Sequence, residues 1–166
     1  MASFMTRMTV LVALALAWAG CEGDAALDVV KAEIGGKHFF LEPALDDATR
    51  QKGLGGREVI DEDGGMLFAF PRSRLLQFVM RDCIIDIDIM YVDSQGVVTA
   101  THTMTVEEPR REGESELDYE TRLKRYSSRY DAQFVIELRA GMIDELGVEV
   151  GDKVKLPLSE LKKRVK

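Results

Sequence analysis

Three aspartates and a histidine are the side chains in this sequence whose spacing could support metal chemistry. Asp82, Asp86 and Asp88 share parity, so a regular strand through them would project all three carboxylates from one face. Oxygen ligands of this kind suit calcium or magnesium, and His102 would add a donor for a softer metal. The alternative is a solvated strand face on which Asp88 bonds nearby backbone or Arg57. A divalent metal is therefore one hypothesis, although no cofactor is predicted.

Three arginines form a second candidate group. Arg50, Arg57 and Arg81 could line a pocket for a small anionic ligand, because a guanidinium binds carboxylate or phosphate through two parallel hydrogen bonds. Structural pairing with Asp82 or Asp88 is the commoner use of such arginines. Anion binding and structural pairing both stay open at this point.

The residue types of a catalytic dyad are present in Cys83 and His102, but neither lies in a recognised nucleophile motif. We interpret Cys83 as a small, inert residue buried inside a strand. The sequence contains no glycine-rich phosphate loop, His-Glu-x-x-His pattern or Cys-x-x-Cys pair. ATPase, zinc-protease and thioredoxin-like activities therefore lose their usual support.

Residues 1–20 have the profile of a signal peptide. Arg7 is their only charged residue, and the apolar run that follows is shorter than the roughly 20 residues that span a bilayer. The run closes on Trp-Ala-Gly-Cys, which resembles the bacterial lipobox and makes Cys21 the predicted lipidation site. The alternative is ordinary signal cleavage near Ala19, which would leave Cys21 able to form a disulfide with Cys83.

These features predict an exported protein on the periplasmic or cell-surface side of a bacterial membrane, anchored by a lipid on Cys21. Removing residues 1–20 removes Arg7 and no acid, so the net charge of −7 becomes −8. Nucleic acid is a poor partner for such a domain, because binding phosphates requires clustered Lys and Arg. The expected partners are the membrane, another envelope protein or a small anionic ligand.

A polar tether at residues 21–26 and one mostly β domain at residues 27–166 are predicted to follow the signal. Alternation and turn residues predict strands at residues 27–34, 38–41, 65–71, 75–80, 84–93, 97–104, 133–138 and 152–156. Gly35 and Gly36 are expected to form the hairpin turn between the first two strands. Short helices are expected at residues 48–52, capped by Asp46 or Asp47, at residues 115–126, opened by a capping box at Ser115, and at residues 140–146. Residues 159–166 are expected to form a basic tail. Residues 106–131 form a charged excursion, which either contacts a partner or is a solvated flap with satisfied charges.

Three segments together resemble the domain of unknown function 192 (DUF192) family. They are RQKGLGGR at residues 50–57, GMLFAFP at residues 65–71 and FVMRDCIIDIDIMYVD at residues 78–93; FVIELRAG and GVEVGD also fit, in the family's order. The resemblance covers nearly all of residues 29–156. It implies a mainly β (α+β) fold, a compact barrel-like antiparallel domain with two or three short helices, and it implies no particular activity.

The chain departs from the pattern that it resembles at five positions. Gly55 stands where methionine is usual, Val79 where tryptophan is usual, Asp82 and Cys83 where Asn-Thr is usual, and Asp86 where proline is common. A ligand shared across the family would therefore meet altered side chains in this chain.

The sequence favours an uncharacterised, lipid-anchored envelope protein that acts as a noncatalytic binding or accessory module. One alternative is a small metal-dependent or hydrolytic enzyme that uses Asp82, Asp86, Asp88 and His102. Another is a structural partner of a second envelope protein. Convergence of those four side chains in a concave pocket would favour the enzyme, whereas an exposed apolar patch on the excursion would favour the partner.

Overall fold

A computed structural model describes residues 29–166 of the chain. The predicted signal at residues 1–20, the lipidation site Cys21 and the tether at residues 21–26 lie outside the described residues. Within residues 29–166, no helix combines the length and the apolar character needed to cross a bilayer.

The described part of the chain is mainly β with a few short helices, as predicted. Its strands are β1 Val30–Ile34, β2 Lys37–Ala44, β3 Met66–Arg74, β4 Gln77–Phe78, β5 Ile87–Val92, β6 Val98–Met104, β7 Tyr126–Ser127 and β8 Ala132–Arg139. Six strands form one sheet in the order β1-β2-β3-β8-β5-β6, and β4 pairs with β7 in a separate ribbon. The pairing is antiparallel except between β2 and β3, which are parallel.

Short helices connect and cover the sheet. They are α1 Asp47–Lys52, α2 Glu116–Arg122, α3 Met142–Leu146 and α4 Leu158–Arg164. Asp46 caps α1 by accepting the Thr49 N–H, and Ser115 caps α2 in the same way, so both predicted caps are confirmed. Between β2 and β3 the chain passes through α1 and a glycine-containing loop, a crossover of the length that a parallel pair requires.

The barrel-like closure predicted for this domain is wrong, because the sheet is open. Instead of pairing with each other, the edge strands β1 and β6 are linked by isolated bridges, Glu33 to Lys155 and Val97 to Lys153. The closing strand expected at residues 152–156 therefore supplies a single bridge to each edge, which is too little for a continuous ladder.

The strand order in the sheet differs from the order in the chain, because β8 inserts between β3 and β5. Its residues Phe134, Ile136 and Leu138 are buried on one face of the sheet, and Val135 is buried on the other. A strand that is apolar on both faces is suited to the centre of a sheet. As a result, the C-terminal strand forms the middle of the fold and holds both cores together.

Several predicted boundaries move. β3 continues past Pro71, which lies at a register shift between Ala69 and Arg74 that removes the need for its missing N–H. The strand expected at residues 84–93 begins only at Ile87, and the expected basic tail is helix α4, anchored by the buried Leu161.

The two faces of the sheet carry separate cores. One lies under the β1–β2 hairpin, α3 and α4, and contains Leu41, Leu67 and Phe134. The other contains Phe68 and Tyr91 and is covered by the loop after α1, the β4–β7 ribbon and the loop that follows β4. The cavity described below opens on this second side.

Candidate functional site

The structure does not bring the predicted acidic group together, because the regular strand assumed for it does not form. Asp82 lies in a turn with a φ of 54°, where its carboxylate accepts the Tyr119 hydroxyl at 3.3 Å. Asp86 precedes β5 and accepts the Val106 N–H at 2.8 Å. Both carboxylates bond different parts of the charged excursion.

Asp88 and His102 have structural partners of their own. Asp88 is buried and accepts hydrogen bonds from the Thr103 hydroxyl and the Ile143 N–H, both at 2.8 Å. The Nε2 atom of His102 lies 2.8 Å from the Ser127 carbonyl oxygen. Across residues 29–166, His, Cys, Asp and Glu side chains nowhere gather in threes that could hold a metal ion.

The three arginines are divided between two places. Arg57 forms two parallel 2.8 Å hydrogen bonds with Glu42, so it is a structural pair. Arg50 and Arg81 both line one cavity, where Arg81 is paired with Glu120. Structural pairing with Asp82 or Asp88 is therefore wrong, because the paired carboxylates are Asp47 for Arg50, Glu42 for Arg57 and Glu120 for Arg81.

This cavity has a volume of about 360 Å³ and lies between α1 with its following glycines, β3, the segment from β4 to Cys83, and β8. Three aromatic rings, of Phe68, Phe70 and Phe78, form its apolar wall. Phe78 meets the other two edge to face, at centroid distances of 5.0 and 6.4 Å, so the rings hold one another in place.

The glycine after α1 is required by its backbone conformation. Gly53 has a φ of 50°, which L side chains rarely adopt, whereas a Cβ added there would make only an ordinary contact of 3.5 Å with the Phe68 ring. This conformation ends α1 and leads the chain along the cavity wall.

Four basic side chains line the cavity, and the two exposed ones, Lys52 and Arg74, make its mouth cationic; the other two are Arg50 and Arg81. Arg50 is fixed by hydrogen bonds of 2.8 Å to the Ala69 carbonyl and to Asp47. Arg50 and Arg74 each lie 5.3 Å from the centre of the Phe70 ring. Within residues 29–166, Arg74 and Lys52 are exposed and have no carboxylate partner.

Glu137 is the acid in the buried wall of the cavity. It is 5% exposed, and no hydrogen bond or ion pair holds its carboxyl within the described residues. Burial raises the pKa of this carboxyl to about 8. Glu137 is therefore mainly neutral at pH 7 and can donate a hydrogen bond into the cavity.

Cys83 also lines the cavity, which corrects its predicted place inside a strand. Burial, with the nearby charges of Glu137 and Asp82, raises the pKa of its thiol to about 12. Its Sγ lies 3.5 Å from the Arg81 carbonyl oxygen, while His102 is bound to Ser127. The dyad of Cys83 and His102 therefore has no support, and the alternative disulfide involves Cys21, outside the described residues.

Sequence reasoning missed most of the cavity wall, above all Glu137, Arg74 and the aromatic rings. A signal for Glu137 was present, since it is one acid inside the apolar run Phe-Val-Ile-Glu-Leu at residues 134–138. An acid in a strand buried on both faces must be neutral or paired, and so indicates a site.

Residues 30–156 match the DUF192 family, described as "Uncharacterized ACR", and the chain belongs to this family. The segments that carried the resemblance converge on the cavity: they supply Arg50, Phe68, Phe78 and Glu137. Gly55, Val79 and Cys83, where the chain departs from the family pattern, line it too. No curated protein matches the chain significantly.

Solved structures share the fold. A protein from Sinorhizobium meliloti 1021, whose name suggests a transcription regulator, is 26% identical, with a TM-score of 0.63 over 78% of this chain and 93% of that one. A protein of unknown function from Novosphingobium aromaticivorans DSM 12444 is 22% identical, with a TM-score of 0.60 over 76% of this chain and 83% of that one. The second likeness bears on the fold alone.

Proposed function

We propose that this protein is a noncatalytic envelope module that binds a small anionic organic molecule in the cavity. The observation that carries the proposal is that one cavity of about 360 Å³ combines an aromatic wall with a cationic mouth. Small-molecule sites are commonly concave and apolar, with a few polar groups that fix orientation. The volume falls at the lower end of the usual range, roughly 300 to 1,000 Å³, so the ligand is small.

The charge of the ligand follows from the side chains at the mouth. The Asp47 carboxylate is occupied by Arg50, and Glu137 is neutral, so the charges of Lys52 and Arg74 remain uncompensated within the described residues. A carboxylate or phosphate would pair with these cations while its apolar part lies against the rings.

Binding without catalysis is proposed because the cavity wall offers no activated nucleophile among the described residues. The Cys83 thiol is protonated at neutral pH, and a thiol is a poor nucleophile compared with a thiolate. Glu137 could exchange protons near neutral pH, but acid–base catalysis would also need a second group placed at the reacting atoms.

The test is isothermal titration of residues 29–166 with benzoate and phenyl phosphate, with neutral benzyl alcohol of similar size as the comparison. We expect the anions to bind more tightly than the alcohol. Arg74→Ala should weaken anion binding about tenfold, the equivalent of roughly 1.4 kcal/mol for a charge-assisted hydrogen bond. The matched control is Arg72→Ala, an exposed arginine of β3 outside the cavity wall. Equal losses in both variants would contradict the proposal.

The proposed location is outside the cytoplasmic membrane, with Cys21 lipidated. The support is the sequence of residues 1–21, where an apolar run ends at a lipobox-like cysteine. Mass spectrometry of the mature N-terminal peptide should find a diacylglyceryl group on Cys21, and Cys21→Ser should abolish it. A mature protein that begins before Cys21 and carries no lipid would instead establish ordinary signal cleavage.

The regulatory role suggested by the name of the Sinorhizobium meliloti protein is not carried over to this chain. The net charge of −7 is the wrong sign for a surface that neutralises nucleic-acid phosphates. The cations at the cavity mouth form a small concave group and not an extended basic face.

A structural partnership with another envelope protein is the second candidate function. Three apolar residues of the excursion are exposed, Val106, Leu117 and Tyr130, and Leu117 is 75% exposed. The excursion satisfies much of its own charge through pairs such as Arg122–Glu114 and Arg110–Glu116. In vivo photo-crosslinking from position 117 would detect such a partner, with a probe at exposed Glu58 as the control.

A further inference from the structure

Glu137 is an acidic residue whose carboxyl has no hydrogen-bond or ion-pair partner among the described residues. Its backbone lies in the central strand β8, opposite Met66 of β3 and Ile89 of β5. Its side chain is 5% exposed and lines the cavity. Burying a polar group without a hydrogen bond destabilises the fold, so an occupant that bonds Glu137 would offset this cost.

We propose that Glu137 is a second recognition group of this cavity: its buried, unpartnered carboxyl donates a hydrogen bond to an uncharged acceptor oxygen, such as a carbonyl, at the apolar end of the anionic ligand. This inference rests on the proposed function and specifies the chemistry of the ligand at the end opposite its anionic group. The ligand class is thus a small molecule with an anion at one end, an apolar body and a carbonyl-type oxygen at the other end.

The surroundings of Glu137 favour the neutral carboxyl. The charged and titratable groups near it come from every element packed around the cavity: Asp47, Arg50 and Lys52 of α1, Arg74 of β3, Arg81 and Cys83 of the loop after β4, and Tyr91 of β5. Burial raises the pKa values of Cys83 and Tyr91, so both are neutral and add no charge. Arg50 and Arg81 are already bonded to Asp47 and Glu120, respectively.

The groups that recognise the anion and the group that recognises the carbonyl oxygen therefore lie in different parts of the cavity. The cations lie at the mouth, where Arg74 and Lys52 are exposed, and the neutral acid lies in the buried wall. An ammonium group at the inner end would instead need Glu137 to be ionised, in surroundings where burial favours the protonated form. A carbonyl oxygen requires no change of charge.

The test compares three probes that share a benzoate group and differ at the opposite end: 4-acetylbenzoate, 4-isopropylbenzoate and 4-(aminomethyl)benzoate. At pH 6.5 we expect the acetyl probe to bind about 5- to 10-fold more tightly than its apolar isostere, the usual size of one hydrogen bond. At pH 9.5, where Glu137 is ionised and no longer a donor, this preference should disappear.

Glu137→Gln should keep the preference at both pH values, because an amide also donates a hydrogen bond and does not titrate. Glu137→Met should reverse it, because methionine offers no hydrogen-bond donor and presents an apolar side chain to the isopropyl group. A measurement on the unaltered protein guards against misfolded variants: ¹³C NMR of labelled glutamate should show that saturating 4-acetylbenzoate raises the pKa of Glu137, by about one unit for a tenfold preference.

Each other outcome has a separate meaning. Equal binding of the acetyl and isopropyl probes at pH 6.5 overturns the role of Glu137 and leaves the anion site intact. Tightest binding of 4-(aminomethyl)benzoate, with a lowered pKa of Glu137, overturns it in favour of an ionised carboxylate. If none of the three probes binds, the proposed anion site itself fails.

Discussion

Replacing Glu137 with glutamine should stabilise the domain by an amount that depends on pH. Burial raises the pKa of this carboxyl from 4.5 to about 8 in the folded state. Between these values the folded protein binds a proton that the unfolded chain releases, so the stability contributed by neutral Glu137 is lost as the pH rises. At 1.36 kcal/mol per unit, the full shift corresponds to about 5 kcal/mol, taken as an upper value.

Glutamine has the same shape and does not titrate, so it removes this loss. Glu137→Gln should match the wild type at pH 5, gain on it by about 1.4 kcal/mol per pH unit up to pH 8, and hold a constant advantage above that. Changes at other groups cancel in the difference between the two proteins.

The assay is urea denaturation of residues 29–166 at intervals from pH 5 to pH 9.5, without ligand. Glu58→Gln is the control, because Glu58 is exposed and makes no hydrogen bond or ion pair within the described residues. The difference in unfolding free energy between Glu58→Gln and the wild type should not change with pH. If the difference for Glu137→Gln were equally flat, Glu137 would be ionised or paired in the folded protein, and the reasoning about the cavity wall would be refuted.

Three further substitutions distinguish residues that bind the ligand from residues that form structural pairs. Val79→Trp should fill part of the cavity and weaken benzoate binding at least tenfold by titration calorimetry, without lowering the melting temperature; unchanged affinity would place the ligand elsewhere. Asp88→Ala should cost about 1 to 3 kcal/mol in urea denaturation, because the Thr103 hydroxyl and the Ile143 N–H both lose their buried acceptor. Arg57→Ala should cost at most about 1 kcal/mol, since its pair with Glu42 is partly exposed, and should leave benzoate affinity intact.

Turns and helix caps could be predicted from the sequence. The turn at Gly35 and Gly36 joins β1 to β2 as predicted, and the caps at Asp46 and Ser115 begin helices where they were expected. Each of these features depends on residues within one turn of chain, so nearby residue types are sufficient to predict it.

The features that the sequence did not reveal depend on distant pairing. Nothing local places β8 between β3 and β5, or limits residues 151–155 to isolated bridges. Arg57 and Arg81 could be recognised as candidates for carboxylate pairing, but their acceptors are 15 and 39 residues away. Asp82 failed as a strand residue because its turn conformation ends the alternation on which the metal hypothesis depended.

The candidate site was predictable in outline. The family resemblance marked the segments that surround the cavity, and the arginine hypothesis named Arg50 and Arg81, two of its lining residues. Glu137 was missed because the apolar residues around it predict the strand, whereas the strand pattern does not say how its acid is neutralised. An acid inside an apolar run is therefore a signal, visible in the sequence alone, that a functional site is present.

Anion binding in the cavity is tested most directly by an amide chemical-shift titration of ¹⁵N-labelled residues 29–166 with benzoate. We expect saturable shifts concentrated at residues 50–55, residues 78–83 and Glu137, and we expect them to be lost in the cavity-filling Val79→Trp protein. Shifts that leave these residues unmoved, or that persist unchanged in Val79→Trp, would contradict an anion-binding function for this cavity.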